Sequence, residues 1–223
     1  MTVSKVFSEI LFSKAIFLKL SFHVRKSVGF SEKDEVILKN ITINNENDLL
    51  SNLLVEAPDA WQDYDSIICE SINVDTAKKM KIIKRGWKNL ILNPLVFLSK
   101  KEQTIELHFD MHHGYKVLDK AIQVMNNNDK SDFKKFVSTS SKFNPHIMFI
   151  TKKKIMNKWF EALFQWLFDC EKIFGFKNLV GYDQQRIYAF LSERYLSFWF
   201  NKYTKSKEWP WIFFDHEETN EDS

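Results

Sequence analysis

Glycine, proline and cysteine are scarce in this sequence of 223 residues, which contains 5 Gly, 4 Pro and 2 Cys. Tight turns and glycine-rich phosphate loops both depend on glycine, so the scarcity disfavours an all-β fold and the P-loop and Rossmann nucleotide-binding classes. The two cysteines, Cys69 and Cys170, are far apart and have no C-x-x-C spacing. Zinc ribbons and disulfide-rich secreted scaffolds are therefore disfavoured, and a reducing, cytoplasmic location is expected.

Long hydrophobic runs and a strong net charge are missing as well. No stretch of the sequence reaches the roughly 18 uninterrupted apolar residues of a membrane-spanning helix. The net charge of +3 is too small to indicate nucleic-acid binding, and the basic runs at 78–85 and 152–154 are typical of solvated faces. Nucleic acid is therefore not an expected partner.

Residues 6–22 form an apolar-rich segment that Glu9, Lys14 and Lys19 interrupt. No small-residue cleavage site follows, so the segment matches a signal peptide poorly. We interpret it as an amphipathic helix packed on the core. The alternative is a helix lying on a membrane surface, which would make the protein a peripheral protein of the inner membrane face.

What the sequence has in abundance is aromatic residues: 21 Phe, 7 Trp and 6 Tyr, or 15% of the chain. The hydrophobic fraction of 44% and charged fraction of 27% are typical of a folded globular protein. The sequence shows no repeat or linker, which predicts one domain over residues 1–223. The acidic residues 217–223 are predicted to be a disordered tail.

Strand-like and helix-like patterns alternate along the chain, which predicts an α/β fold with a mixed sheet flanked by helices and an aromatic-rich helical C-terminal half. Strands are predicted at 65–70, 89–98 and 147–150, and a strand or an extended loop at 35–43. Helices are predicted before Pro58, over 103–125 with a break at Gly114, and over 132–136, 155–174 and 184–203.

The segment 108–113, His-Phe-Asp-Met-His-His, is the densest group of chemically active side chains. His108 and His112 are one helical turn apart, a spacing that can hold zinc. A zinc protease needs Glu directly after the first His, where Phe109 stands, so metallohydrolase chemistry is disfavoured. The alternative is that one of these histidines lies in the core with its hydrogen bonds satisfied.

Two further pairs of charged residues are candidates for a site. Glu193 and Arg194 lie on an otherwise apolar helix, where they form either a structural pair or the polar base of a site. Asp63-Tyr64-Asp65 is a D-x-D tripeptide of the kind that holds a divalent cation in nucleotide-sugar enzymes. A turn between a helix and a strand explains these two aspartates equally simply.

Four segments of the C-terminal half, in this order, carry a resemblance to a known family: 104–125, 144–152, 159–174 and 181–195. They resemble a bacterial family of capsular-polysaccharide and lipopolysaccharide glycosyltransferase domains, first catalogued as a domain of unknown function. The most specific match is Arg186 followed by Leu-Ser-Glu-Arg at 191–194. The others are His112 or His113, Met-Phe-Ile at 148–150 and Trp-Leu-Phe at 166–168. Residues 1–40 diverge from the family.

The resemblance implies a GT-A-like fold and a hexosyltransferase-type reaction between a nucleotide-sugar donor and a glycan or lipid-linked acceptor in capsule or lipopolysaccharide biosynthesis. Either Mg²⁺ or Mn²⁺, or Arg and Lys side chains, would neutralise the departing diphosphate. The implied catalytic residues are Asp110, His112, His113 and Glu193. The implied substrate-binding residues are Asp183, Arg186 and Arg194.

The chain departs from the family at two places. Cys69-Glu70-Ser71-Ile72 stands where the family has a basic H-Y-R-R signature, and His146 stands where it often has Asn. A basic signature is a natural contact for a diphosphate. The alternative interpretation is therefore a non-catalytic relative that acts as an interaction or assembly module in a glycan-synthesis complex.

Overall fold

The computed structural model describes residues 57–76, 79–125, 128–177 and 179–211. The chain forms two compact units, one of residues 64–209 and one of residues 1–63 with 210–223. In the smaller unit the described residues contain the 3₁₀ turn Asp59–Trp61, where Gln62 Nε2 donates a hydrogen bond of 2.9 Å to Asp59 Oδ1. The predicted elements before Pro58 and the predicted tail at 217–223 lie outside the described residues.

The larger unit contains two small sheets. Their strands are β1 (Ser66–Cys69), β2 (Ile72–Asn73), β3 (Lys142–Phe143), β4 (Phe149–Thr151) and β5 (Ser206–Trp209). In the three-stranded sheet β1 lies between β4, to which it is antiparallel, and β5, to which it is parallel. Strands β2 and β3 pair antiparallel. The central strand β1 is buried along its whole length, as expected for a strand with a neighbour on each side.

Nine α-helices are described in this unit. They are α1 (Lys79–Arg85), α2 (Trp87–Leu92), α3 (Leu95–Leu98), α4 (Ile105–His113), α5 (Val117–Gln123), α6 (Lys130–Thr139), α7 (Lys153–Phe174), α8 (Tyr182–Gln185) and α9 (Ile187–Tyr203). Thr104 caps the start of helix α4, where its Oγ1 accepts a hydrogen bond from the Leu107 N–H, and Gly114 follows its last residue. Gly114 has φ 118°, a conformation that a residue with a side chain rarely adopts.

Helices α7 and α9 pack on α6 through aromatic side chains. The ring of Tyr195 lies 5.4 Å from that of Trp159, 5.1 Å from that of Trp166 and 5.3 Å from that of Phe133. All four side chains are buried. Trp166 Nε1 donates a hydrogen bond of 2.7 Å to the Ala121 carbonyl, so the indole N–H keeps a partner inside the core.

The structure confirms a mixed α/β fold, the strand predicted at 65–70 and the helices predicted at 103–125, 132–136, 155–174 and 184–203. The strand predicted at 147–150 lies slightly later, at Phe149–Thr151. The strand predicted at 89–98 is wrong, because these residues form α2 and α3. Pro94 fits the start of a helix, since its missing N–H would have no partner there, and most apolar side chains of this run face solvent.

Candidate functional site

Arg194 is the centre of the candidate site. It lies in the middle of α9 with 2% of its surface exposed. Its Nη1 donates to Glu193 Oε2 at 2.8 Å and to the Phe190 carbonyl at 3.2 Å. Burial lowers the pKa of Arg194 to about 10, and Glu193 opposes this shift. Arg194 therefore remains a cation at neutral pH and is paired with Glu193, as a buried charge requires.

Two histidines of α4 accept hydrogen bonds from this guanidinium. Arg194 Nη2 lies 3.4 Å from His108 Nδ1 and 3.4 Å from His113 Nε2. A guanidinium can only donate, so the facing ring nitrogens carry no proton. Burial, reinforced by Arg194, lowers the pKa of His108 well below its usual value and that of His113 to about 2. Both rings are neutral, with their protons on His108 Nε2 and His113 Nδ1.

Aromatic rings fix this arrangement from the sides. The guanidinium carbon of Arg194 lies 4.2 Å from the centroid of the Phe143 ring and 5.2 Å from that of Phe109. The ring of His113 stacks on Phe190 with 3.9 Å between centroids. Cations over aromatic faces are stabilised, and stacking restricts the ring, so the positions of Arg194 and His113 are determined by packing. We call Arg194, Glu193, His108 and His113 the Arg194 cluster.

Asp183 connects this cluster to solvent. Its Oδ1 lies 3.6 Å from His113 Nδ1, the ring nitrogen that carries the proton, and 48% of its side chain is exposed. Burial raises the pKa of Asp183, although Arg85 opposes the shift. Asp183 belongs to the short helix α8, which follows Gly181 with φ 80°. His113 thus lies between a half-exposed carboxylate, Asp183, and a buried cation, Arg194.

Two exposed arginines add positive charge near the cluster. Arg186 hydrogen-bonds the Tyr182 hydroxyl, and its guanidinium lies over the rings of Tyr182 and Phe190. Arg85 Nη1 lies 3.4 Å from Nδ1 of His112, whose ring stacks on that of His108. With Arg194 these make three guanidinium groups against the two carboxylates of Asp183 and Glu193. The site therefore has an excess of positive charge, which suits an anionic ligand.

Asp110 takes part in a different set of contacts. Its carboxylate accepts hydrogen bonds of 2.9 Å from Asn89 Nδ2 and from the backbone N–H of Lys116. Burial raises the pKa of Asp110, and these two hydrogen bonds oppose the rise. The contacts join the end of α4 to α2 and to the residue before α5. The hydrogen bonds of the Asp110 carboxylate therefore go to Asn89 and Lys116 and not to the Arg194 cluster.

Sequence reasoning did not place Arg85 or His146 in the site, and for His108 it left open a zinc ligand or a histidine in the core. His146 has φ 67°. Burial is the largest influence on the pKa of Glu193 and raises it, while Arg194 and the backbone N–H of His146 oppose that rise. The sequence offered one signal for His146, its departure from the family's Asn. It offered none for Arg85, which reaches His112 only because α1 packs on α4.

The described residues contain no group of three His, Cys, Asp or Glu side chains placed to hold a metal ion. In the D-x-D tripeptide, Asp65 Oδ1 accepts from Lys152 Nζ and Oδ2 accepts from the Lys205 backbone N–H, both at 3.2 Å. These hydrogen bonds lower the pKa of Asp65, with the Lys205 contribution the larger. The Asp65 carboxylate is thus engaged by an ammonium group and a backbone amide.

Comparison with known proteins gives one match. A family model described as a domain of unknown function, DUF4422, matches residues 62–205. No curated protein and no solved structure matches the chain. Because the model covers more than half of the 223 residues, the chain belongs to the DUF4422 family.

Proposed function

We propose that this protein is a GT-A-like glycosyltransferase that transfers a sugar from a nucleotide-sugar donor to a glycan or lipid-linked acceptor, in the cytoplasm, for capsule or lipopolysaccharide biosynthesis. The observation that carries the proposal is that Arg194 and Arg85 contact the histidines of α4, while Arg186 lies on the rings beside them and the half-exposed carboxylate of Asp183 faces His113. Guanidinium groups match the planar, bidentate geometry of phosphate oxygens. A carboxylate beside them can accept a proton from an acceptor hydroxyl.

In this proposal Arg186 and Arg85 bind the diphosphate of the donor, since both are exposed. When the bond between the sugar C1 and the phosphate oxygen breaks, its electron pair stays on the diphosphate, and the two guanidinium groups stabilise that charge. The acceptor oxygen bonds to C1, and its proton passes to Asp183. A raised pKa makes Asp183 a better base than an ordinary aspartate.

The Arg194 cluster has a positioning role in this scheme. Arg194 donates to Nε2 of His113, which leaves the proton on Nδ1, facing Asp183. Glu193 balances the charge of Arg194, and His112 lies next to Arg85. The positive charge of the arginines can neutralise the diphosphate without a bound metal ion. The experiment therefore measures donor binding both with and without Mg²⁺ or Mn²⁺.

The test is a panel of nucleotide-sugars, titrated calorimetrically into the full chain with and without Mg²⁺ or Mn²⁺. For any donor that binds, we expect Arg186→Ala to weaken binding at least about tenfold, through loss of charged hydrogen bonds. The matched control is Lys154→Ala, an exposed cation at the start of α7. We expect Asp183→Asn to lower turnover at least about a hundredfold with little effect on donor binding. Its control is Asp132→Asn, whose side chain is 59% exposed.

A second candidate function is a non-catalytic interaction or assembly module in a glycan-synthesis complex. One observation favours it: Arg194 is almost fully buried and hydrogen-bonded to protein acceptors. If the folded chain binds no nucleotide-sugar under any of these conditions, the glycosyltransferase proposal is wrong and this candidate remains.

A further inference from the structure

Residues 79–102 form a surface with an unusual number of exposed apolar side chains. The segment contains α1, α2, α3 and the 3₁₀ turn Lys100–Glu102. Ile91 and Leu92 are each 70% exposed and Leu98 is 76% exposed. The other exposed apolar side chains of the segment are Met80, Ile83, Trp87 and Leu95. A cluster of this kind on a folded protein marks a surface that meets a partner or a membrane.

The inner side of the same segment is well packed. Ile82 and Val96 are buried and form a small core cluster with Leu107 and Met111 of α4. Gly86 joins α1 to α2 so closely to α4 that an added Cβ would lie 3.1 Å from the sulfur of Met111. The segment is therefore held against α4 by Ile82 and Val96, while seven of its other large apolar side chains are exposed.

The segment is also strongly basic. It contains seven Lys and Arg residues, at positions 79, 81, 84, 85, 88, 100 and 101, and a single acidic residue, Glu102. Glu102 is engaged by Asn93, whose Nδ2 donates a hydrogen bond of 2.8 Å. Lys88 Nζ lies 5.6 Å from the ring centroid of Trp87, so a cation borders this exposed ring. We call residues 79–102 the basic apolar surface.

We propose that the basic apolar surface docks the protein on a bilayer that contains anionic phospholipid. Exposed Trp and aliphatic side chains bordered by Lys and Arg fit the boundary between headgroups and acyl chains. The helices of this surface have 7, 6 and 4 residues, whereas a helix that spans a bilayer needs about 20. Among the described residues, no helix has both the length and the apolar character needed to cross a membrane.

Charge also decides between a bilayer and a second copy of the chain. Two copies meeting through this surface would bring two strongly positive segments together, which is unfavourable at short range. An anionic bilayer supplies the opposite charge. The inference does not rest on the proposed glycosyl transfer, because docking on lipid needs neither a donor nor the Arg194 cluster.

The experiment is flotation of the full chain with vesicles. We expect the protein to float with vesicles of phosphatidylcholine and phosphatidylglycerol, and much less with phosphatidylcholine alone or at high salt. We expect the charge reversal Lys100→Glu with Lys101→Glu to lower partitioning at least about tenfold. Its matched control is Lys153→Glu with Lys154→Glu, two exposed lysines on α7.

The apolar contribution is tested in the same way. Ile91→Ser with Leu92→Ser should lower partitioning at least about tenfold, through lost burial of apolar surface. The matched control, Phe164→Ser with Phe168→Ser, changes two exposed side chains of α7. Brominated lipids should quench part of the tryptophan fluorescence of the wild type, and this part should be lost in Trp87→Phe.

Three results would overturn the proposal. One is equal binding to neutral and anionic vesicles, or no binding to either. Another is an equal loss of binding in the α7 controls, which would mean that the basic apolar surface is not the contact. The third is a dimer in light scattering that becomes a monomer in the Ile91→Ser, Leu92→Ser variant while vesicles are not bound, which would make this surface a self-association site.

Discussion

Replacing Arg194 with methionine should strongly destabilise the fold. Methionine fills much of the same space but removes the donors to Glu193, His108, His113 and the Phe190 carbonyl. Glu193 is then left with 14% of its side chain exposed and without its cation. The loss should therefore exceed that of an exposed salt bridge, which is worth about 0–1 kcal/mol.

The magnitude follows from the burial of the pair. Removing one partner of a buried ion pair lowers the free energy of unfolding by about 3–5 kcal/mol, because the other charge stays uncompensated. Whole domains have about 5–15 kcal/mol of stability, so this loss is a large part of the total. Replacing both residues, Arg194→Met with Glu193→Met, should be less harmful than the single change, since no orphan charge remains.

The pH dependence of the Arg194→Met variant gives a second signature. Burial already raises the pKa of Glu193 in the wild type, and removal of Arg194 takes away the main opposing influence. A carboxyl group whose folded pKa exceeds its unfolded value of about 4.3 stabilises the fold only while it is protonated. The destabilisation should therefore shrink as the pH falls through the raised pKa of Glu193 towards the unfolded value of about 4.3.

Urea unfolding followed by circular dichroism measures these free energies. Arg186→Ala is the matched control, because this guanidinium is exposed, and its loss should change stability by only about 0.5 kcal/mol. A loss below about 1 kcal/mol for Arg194→Met, or a double variant less stable than the single one, would refute the assignment of a buried, mutually dependent pair.

Two further changes test the surroundings of the cluster. The pKa of His113 is about 2 in the fold, below its unfolded value of about 6.5. The stability of the wild type should therefore fall as the pH drops below about 6.5. In urea unfolding, His113→Asn should remove up to about 1.4 kcal/mol per pH unit of this dependence. Asp110→Ala should lower the free energy of unfolding by about 1–3 kcal/mol, because a buried acceptor of two hydrogen bonds is lost. Asp183→Ala should change it by only about 0.5 kcal/mol, because this side chain is half-exposed. Equal losses for the two aspartates would contradict the contrast between a buried structural carboxylate and a half-exposed one.

The long helices were predictable because they carry a strong local signal. Apolar residues recur at helical spacing along α7 and α9, and Gly114 marks the end of α4 where its φ of 118° requires glycine. The run at 89–98 shows where local signals fail. A short apolar run is compatible with a buried strand or with exposed helices, and the difference depends on which face the rest of the protein covers.

The candidate site was predictable only in part. The sequence indicated Glu193 and Arg194 as a pair, and it placed His108, His112 and His113 on one helix. It could not show that Arg194 lies between His108 and His113, because 81 residues separate His113 from Arg194 along the chain. Nor could it show that Asp110, two residues before His112, is used in a separate set of hydrogen bonds.

The sequence by itself determined the class of fold, the aromatic composition of the core and most of the helices, because these depend on composition and on local periodicity. The tertiary structure decided which charges meet. Packing of α4 on α9 surrounds Arg194 with neutral histidines, and packing of α1 on α4 brings Arg85 to His112. Packing also buried Ile82 and Val96 of residues 79–102 against Leu107 and Met111 of α4 and left seven other large apolar side chains of this segment exposed. Such long-range contacts have no local signature.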